Sequence, residues 1–160
     1  MDERPRAAAA ISGWRRVLIV AGLVIVADQL TKSIVRDTIV PGDRRQVLAG
    51  ILDITNTHNA GVAFGALAGG GAIVAALMGL ALGALVVYFV LRVQTPLLWL
   101  PVGLLLGGAL GNLADRARMG SVTDFIDPRL WPAFNVADSC IVVGVLILLW
   151  VIESAASDSG

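Results

Sequence analysis

The feature that most restricts this chain is the placement of its charge-free runs. No Asp, Glu, Lys or Arg occurs from Ile54 to Leu91 or from Val93 to Ala114, and Phe134 to Ile152 carries only Asp138. A further run starts near Trp14, is apolar from Val17 to Ala27 and continues as Asp28-Gln29-Leu30-Thr31-Lys32-Ser33-Ile34-Val35. A helix rises about 1.5 Å per residue, so each run can cross a hydrocarbon core of ~30 Å. The runs predict spans over 14–36, 70–91, 97–116 and 135–152, with outer segments over 37–69 and 117–134. Composition agrees: 57% of the residues are hydrophobic and 15% charged, against about 45–50% and about 25% in soluble domains. So little charge cannot keep a soluble enzyme of this size in solution. The expected fold is an all-α polytopic membrane protein of four transmembrane helices. A small β-rich extracytoplasmic segment is expected between helices one and two, where Val47 to Phe64 mixes β-branched residues with polar alternation. Residues 1–160 form a single membrane-embedded domain in this reading.

Arg4, Arg6, Arg15 and Arg16 precede the first span and place the N-terminus inside. Three further spans argue against a cleaved signal sequence, and four crossings return the C-terminus inside. Lys32, Arg36, Arg44, Arg45, Arg116, Arg118 and Arg129 then fall at the outer side, which calls for a functional reason. Gly103, Gly107 and Gly111 in the third span, and Gly79 and Gly83 in the second, recur every four residues. That spacing lets helices approach closely in a membrane; a place beside substrate is the lesser alternative for Gly107, Gly108 and Gly111.

Charged side chains inside spans cost about 2.5–3.5 kcal/mol each on insertion scales, so each needs a partner or a role. Asp28 and Lys32 are four apart on one helix face and can pair. Asn112, Asp115 and Arg116 share a face at the end of the third span, and Asn135, Asp138 and Ser139 share one at the start of the fourth. Asp124 lies between those helices. The alternating topology gathers all of these, with the Asn59-Ala60-Gly61 stretch, at one membrane face.

Two neighbouring carboxylates tend to share a proton, because both cannot ionise easily. One can then activate water while the other donates to a carbonyl oxygen or leaving amine. This chemistry requires no metal, Cys or His. With one cysteine, Cys140, and one histidine, His58, a disulfide framework and a zinc site of three or four Cys/His ligands are excluded. Cys140 reads as a buried small residue in an apolar run and His58 as a polar loop residue. Zero net charge, twelve basic against twelve acidic residues, points to no nucleic-acid partner. Spacing alone leaves Asp115 and Asp124 as rivals for the second carboxylate. A proton-coupled transporter would instead place its carboxylate near the bilayer midplane, whereas these acids sit at helix ends.

The segments Asp28-Gln29-Leu30-Thr31-Lys32, Asn59-Ala60-Gly61-Val62-Ala63-Phe64, Gly107 to Arg116, Val122-Thr123-Asp124-Phe125 and Phe134-Asn135-Val136-Ala137-Asp138-Ser139 together resemble the bacterial lipoprotein signal peptidases (signal peptidase II). The resemblance runs from about Val17 to about Val151, in the family's order. It implies an aspartyl endopeptidase of the cytoplasmic membrane. This enzyme would act as a monomer among membrane lipids and cleave diacylglyceryl-modified prolipoproteins before the lipidated cysteine, without a cofactor. By the same correspondence Asp124 and Asp138 are catalytic. Asn59, Asn112, Arg116 and Asn135 line the pair or hold substrate, while Asp28, Lys32, Gly108 and Asp115 support the site near the extracytoplasmic face. Two departures stand out: the stretch between Asp124 and Asp138 is short for the family, and Thr123 replaces an aliphatic residue.

Overall fold

The structure, a computed structural model, describes residues 4–48, 50–59 and 71–157. Residues 60–64 of the Asn59–Phe64 segment lie outside this set. In chain order the elements are α1 (Arg4–Thr38), β1 (Arg44–Leu48), β2 (Leu52–Asn59), α2 (Gly71–Leu91), α3 (Trp99–Met119), β3 (Val122–Pro128) and α4 (Val136–Ser157). Helices α1, over Ala10–Thr38, and α4 are long and apolar enough to cross a membrane; within α2, Gly79–Leu91 is an apolar stretch. The last two turns of α3 are polar, with Asn112, Asp115, Arg116 and Arg118. Of the four expected spans, two are therefore met by length and apolarity.

Helix α1 shows why this molecule suits lipid. Its buried positions are Gly13, Val17, Ala21, Val24, Asp28, Lys32 and Val35, spaced by three or four residues along one face, and Ile39 just beyond its end continues the series. Leu18, Ile19, Leu23, Val26, Leu30 and Ile34 are exposed on the other faces. Charge is buried and apolar surface is open, an arrangement that water would penalise and a bilayer would favour.

Helix α3 is the central element, packed between α1 and α4, and its glycines make this possible. A Cβ on Gly103 would fall 2.7 Å from Val20, and one on Gly107 would fall 2.7 Å from Val24. On the opposite side, Gly108 faces the Ala137 backbone carbonyl of α4. Gly79 and Gly83 of α2 have nothing within 4 Å of such a Cβ. Close packing is thus real for the α3 glycines and is not seen for the α2 pair. One apolar cluster (Val17, Phe89, Leu98, Val102, Val151) closes one part of the bundle, with Trp14 edge-on to Phe89. A second (Val35, Ile39, Phe125) joins α1 to the sheet.

The sheet has the order β1-β2-β3, antiparallel throughout. The sequence placed the β structure between helices one and two; the third strand comes instead from between α3 and α4. Gly120, with φ 72°, ends α3 in the left-handed conformation and turns the chain into β3. The β2–β3 register shifts between Ile54 and Thr57, so Thr55 and Asn56 together oppose Phe125. Both are buried, which breaks the alternation of β2. Asn56 uses its amide to cap the Ile39 carbonyl at 2.8 Å. Beyond the bulge Thr57 pairs with Asp124, so the bulge sets which β2 side chains meet that carboxylate.

Candidate active site

The polar residues form two linked groups. Lys32 of α1 is fully buried and has three N–H donors. They reach Asp28 Oδ2 at 2.8 Å, Asp115 Oδ2 at 2.9 Å and Asn112 Oδ1 at 2.9 Å. Gln29 adds donors to Asp28 (3.2 Å), Asp115 (3.0 Å) and the Gly111 carbonyl (3.2 Å). The backbone N–H of Thr123 donates to Asp115 Oδ2 at 3.3 Å, and that of Ala137 donates to Asp28 Oδ1 at 3.0 Å. Asp28 thereby satisfies an otherwise orphaned N–H at the start of α4. This group ties α1, α3, β3 and the α4 terminus together around one cation.

The second group starts at Asn112. Lys32 can only donate, so the Asn112 amide must turn its oxygen to Lys32, and its NH2 then faces Asp138, 2.7 Å from Oδ1. Asn135 caps α4 in the same manner. Its Oδ1 accepts the Asp138 N–H at 2.9 Å while Asp138 Oδ2 accepts the Asn135 N–H at 3.3 Å, a reciprocal capping box. With that oxygen occupied, the Asn135 NH2 reaches Asp124 Oδ1 at 2.7 Å and Asn112 Oδ1 at 3.2 Å. Asn59 donates to Asp124 Oδ2 at 3.0 Å from β2. Asp138 and Asp124 are therefore each held by one amide NH2, of Asn112 and Asn135 respectively, whose flip state is fixed by a neighbour.

Asp124 is buried and Asp138 half-buried. Among the described residues neither forms a salt bridge. Burial pushes the Asp124 carboxyl above the ordinary carboxylate range, and the nearby charge of Asp138 adds to this; hydrogen bonds from Asn59 and Asn135 pull the other way. Arg116 is half-buried, and among the described residues its guanidinium makes one long contact, 3.5 Å to the Asn112 carbonyl of its own helix. Donors thus remain at the rim of the site.

A family model described as signal peptidase (SPase) II matches residues 20–153. The chain belongs to the signal peptidase II family. The lipoprotein signal peptidase of Moorella thermoacetica is 43% identical over 144 residues, covering 89% of this chain and 96% of the relative. That of Staphylococcus aureus (strain MRSA252) is 36% identical over 137 residues, covering 82% and 84%. A bacterial membrane enzyme solved by the in meso method at 2.3 Å is similar in structure, with a TM-score of 0.80 at 33% identity, covering 90% of this chain and 91% of its own. Membership makes the chain a peptidase. With its apolar helices and this structural likeness it is also a membrane protein.

The structure brings together Asp28, Lys32, Asn59, Asn112, Asp115, Asp124, Asn135 and Asp138 in one hydrogen-bonded network, with Arg116 at its edge. Gly108 instead packs two helices together. His58 is exposed on β2, and Cys140 is half-buried on α4 rather than fully buried. Sequence reasoning missed Gln29, which joins both supporting acids and accepts from Arg118 at 3.2 Å. It also missed Arg36, which donates to the Thr123 hydroxyl at 3.2 Å. An amide next to Asp28 in an otherwise apolar run was the available signal for Gln29. Thr123, noted as a departure, is fully buried and gives Arg36 an acceptor that an aliphatic residue would lack.

Proposed function

We propose that this chain is a membrane aspartyl endopeptidase that removes the signal peptide from diacylglyceryl-modified prolipoproteins, cutting before the lipidated cysteine. One observation carries the reading. Of the four clustered acids, Asp28 and Asp115 are ion-paired with Lys32, and Arg36 lies 4.0 Å from Asp115, while among the described residues Asp124 and Asp138 have no ion pair and accept from side-chain amides and a backbone N–H. This favours Asp124 over Asp115 as the second catalytic carboxylate.

In this mechanism Asp124 and Asp138 share one proton. The ionised carboxylate takes a proton from water as its oxygen attacks the scissile carbonyl carbon, and the protonated carboxyl donates to the carbonyl oxygen. The gem-diol intermediate then collapses: the C–N bond breaks, the leaving amine of the cysteine takes a proton from the carboxyl that had deprotonated water, and a diol hydroxyl returns its proton to the other carboxylate as the new C=O forms, so that the pair again holds one proton. The NH2 groups of Asn112 and Asn135 hold the carboxylates in place and cost no reorganisation during reaction. Arg116 binds substrate backbone carbonyls.

The wider reading is a single membrane-embedded peptidase domain with four spans, both termini cytoplasmic and the site near the extracytoplasmic face. In this reading the active form is a monomer. An apolar groove of about 300 Å³ between α2, α3 and α4, lined by Leu82, Leu85, Leu105, Ala109 and Ile141, suits an acyl chain. The test is a gel-shift assay with a lipidated precursor and its unlipidated twin. Cleavage of the lipidated form alone supports the reading; cleavage of both removes the lipid requirement, and cleavage of neither removes the function.

A further inference from the structure

A second polar arrangement lies on the sheet, outside the carboxylate network. Asp53 of β2 and Asp127 of β3 are register partners, so two acids face each other across an antiparallel pair, an unfavourable placement unless compensated. Both are buried. Arg129 approaches Asp53 at 3.8 Å and Arg44 approaches Asp127 at 3.4 Å, but these arginine side chains are 45% and 63% exposed. Long pairs with open guanidiniums are screened and weak. Asp53 Oδ1 is buried and has no hydrogen-bond partner among the described residues. Such an oxygen bears its full desolvation penalty, so a donor brought from outside the fold would have a ready acceptor.

Asp53 is one of the residues that line an open cleft of about 880 Å³, with Arg44, Asp127, Arg129, Trp131 and Thr57. Trp131 is 70% exposed. Thr57 is the strand partner of Asp124 and Asp127 lies on the same strand as Asp124, so the cleft borders the two strands that hold the candidate catalytic carboxylate.

We propose that this cleft is a subsite for the extended polypeptide that follows the lipidated cysteine, an inference that rests on the peptidase reading above. An extended chain presents alternating N–H and C=O groups. Asp53 Oδ1 accepts one such N–H, Arg44 and Arg129 donate to carbonyls on either side, and the Trp131 ring covers an apolar side chain. The signal peptide, being apolar, belongs among the helices; the polar half of the substrate is the part that can lie over the sheet. An anionic lipid headgroup would suit the two arginines but would leave the Asp53 acceptor empty.

The test uses the intact protein and two lipidated precursors identical through the cysteine, one truncated just beyond it and one retaining the following segment. The long precursor is expected to have the higher kcat/KM, by about tenfold and through KM, the weight of one hydrogen bond to a charged group. Trp131→Ala and Arg129→Ala, both at exposed positions, bring that ratio close to one. Equal kcat/KM for both precursors in the wild-type chain overturns the proposal, as does a ratio kept by both variants. A ratio that depends only on anionic lipid in the vesicle assigns the arginines to lipid and also overturns it. A wild-type chain that cleaves neither precursor refutes the peptidase reading instead, so the two failures are distinct.

Discussion

Two pairs of acids sit in one network, and they differ in what faces them. Asp28 and Asp115 surround an ammonium, and backbone and Gln29 donors take up their remaining oxygen capacity. Asp124 and Asp138 face amides, which orient a carboxylate without cancelling its charge. The first pair builds the fold around a buried cation; in the mechanism proposed above the second keeps a proton available. Asn112 joins them, because its orientation toward Asp138 is set by Lys32. The charged cluster thus sets, through the flip of one amide, the donor that Asp138 receives.

The sharpest way to break this contrast is to remove one acid from each pair. Asp124→Asn and Asp138→Asn should each lower cleavage of a lipidated precursor on the order of 10⁴-fold, the upper range for loss of a general acid or base, while the chain stays folded. Asp115→Asn should chiefly lower thermal stability and leave measurable cleavage in the folded fraction. A folded, inactive Asp115→Asn beside an active Asp124→Asn would reverse the two assignments.

Next in size is Lys32→Met, which leaves Asp28 and Asp115 buried without their cation. Breaking one side of a buried pair costs about 3–5 kcal/mol, measurable as a lowered unfolding midpoint. If the cluster is a unit, Lys32→Met and Asp115→Asn should be non-additive in a double-mutant cycle.

A smaller loss is expected for Gly111→Ala, because the new Cβ would meet Asp28 Oδ2 at 2.8 Å. Overpacking of this kind costs about 1–3 kcal/mol. Gly79→Ala, with nothing within 4 Å, should instead stabilise its helix by roughly 0.5–1 kcal/mol. Equal effects at the two glycines would mean that α3 does not pack against α1 as described.

The smallest effect concerns pH. Asp124 has a raised pKa in the folded chain, so it holds a proton at pH values where an ordinary carboxyl has lost it. Activity that needs this proton should fall as pH rises through the raised value. Asn59→Ala removes a hydrogen bond that favours the ionised form, so the alkaline limb of the pH–kcat profile should move to higher pH. The sign for stability is the opposite of a salt-bridged Asp: the contribution of Asp124 is present at low pH and lost as pH rises from the unfolded pKa through the folded one. Above that window Asp124→Asn should melt higher than the wild type.

Legibility followed the range of the interaction. The α1 face was readable because Asp28 and Lys32 lie one helical turn apart, and their pairing needs only local geometry. The helices α1 and α4 were readable from apolar length. Strand β3 was not. All but Ile126 and Pro128 of its seven residues are buried, so it lacks the alternation that marks a half-buried strand, and its partner β2 lies far away in sequence. The bulge at Thr55 and Asn56 was equally hidden, since it exists only relative to Phe125.

The sequence by itself determined that charge is scarce, that the apolar runs need a non-aqueous surface, and that the few polar residues collect at one end of the helices. Those are properties of composition and spacing, which a single chain carries in its order. Only the tertiary structure decided which acids meet a cation and which meet amides. That depends on Lys32 meeting Asp115 across two helices and on Asn112 and Asn135 turning their amides toward Asp138 and Asp124. Hydrogen-bond direction is set by the groups that surround an amide in space, and no spacing along the chain specifies it.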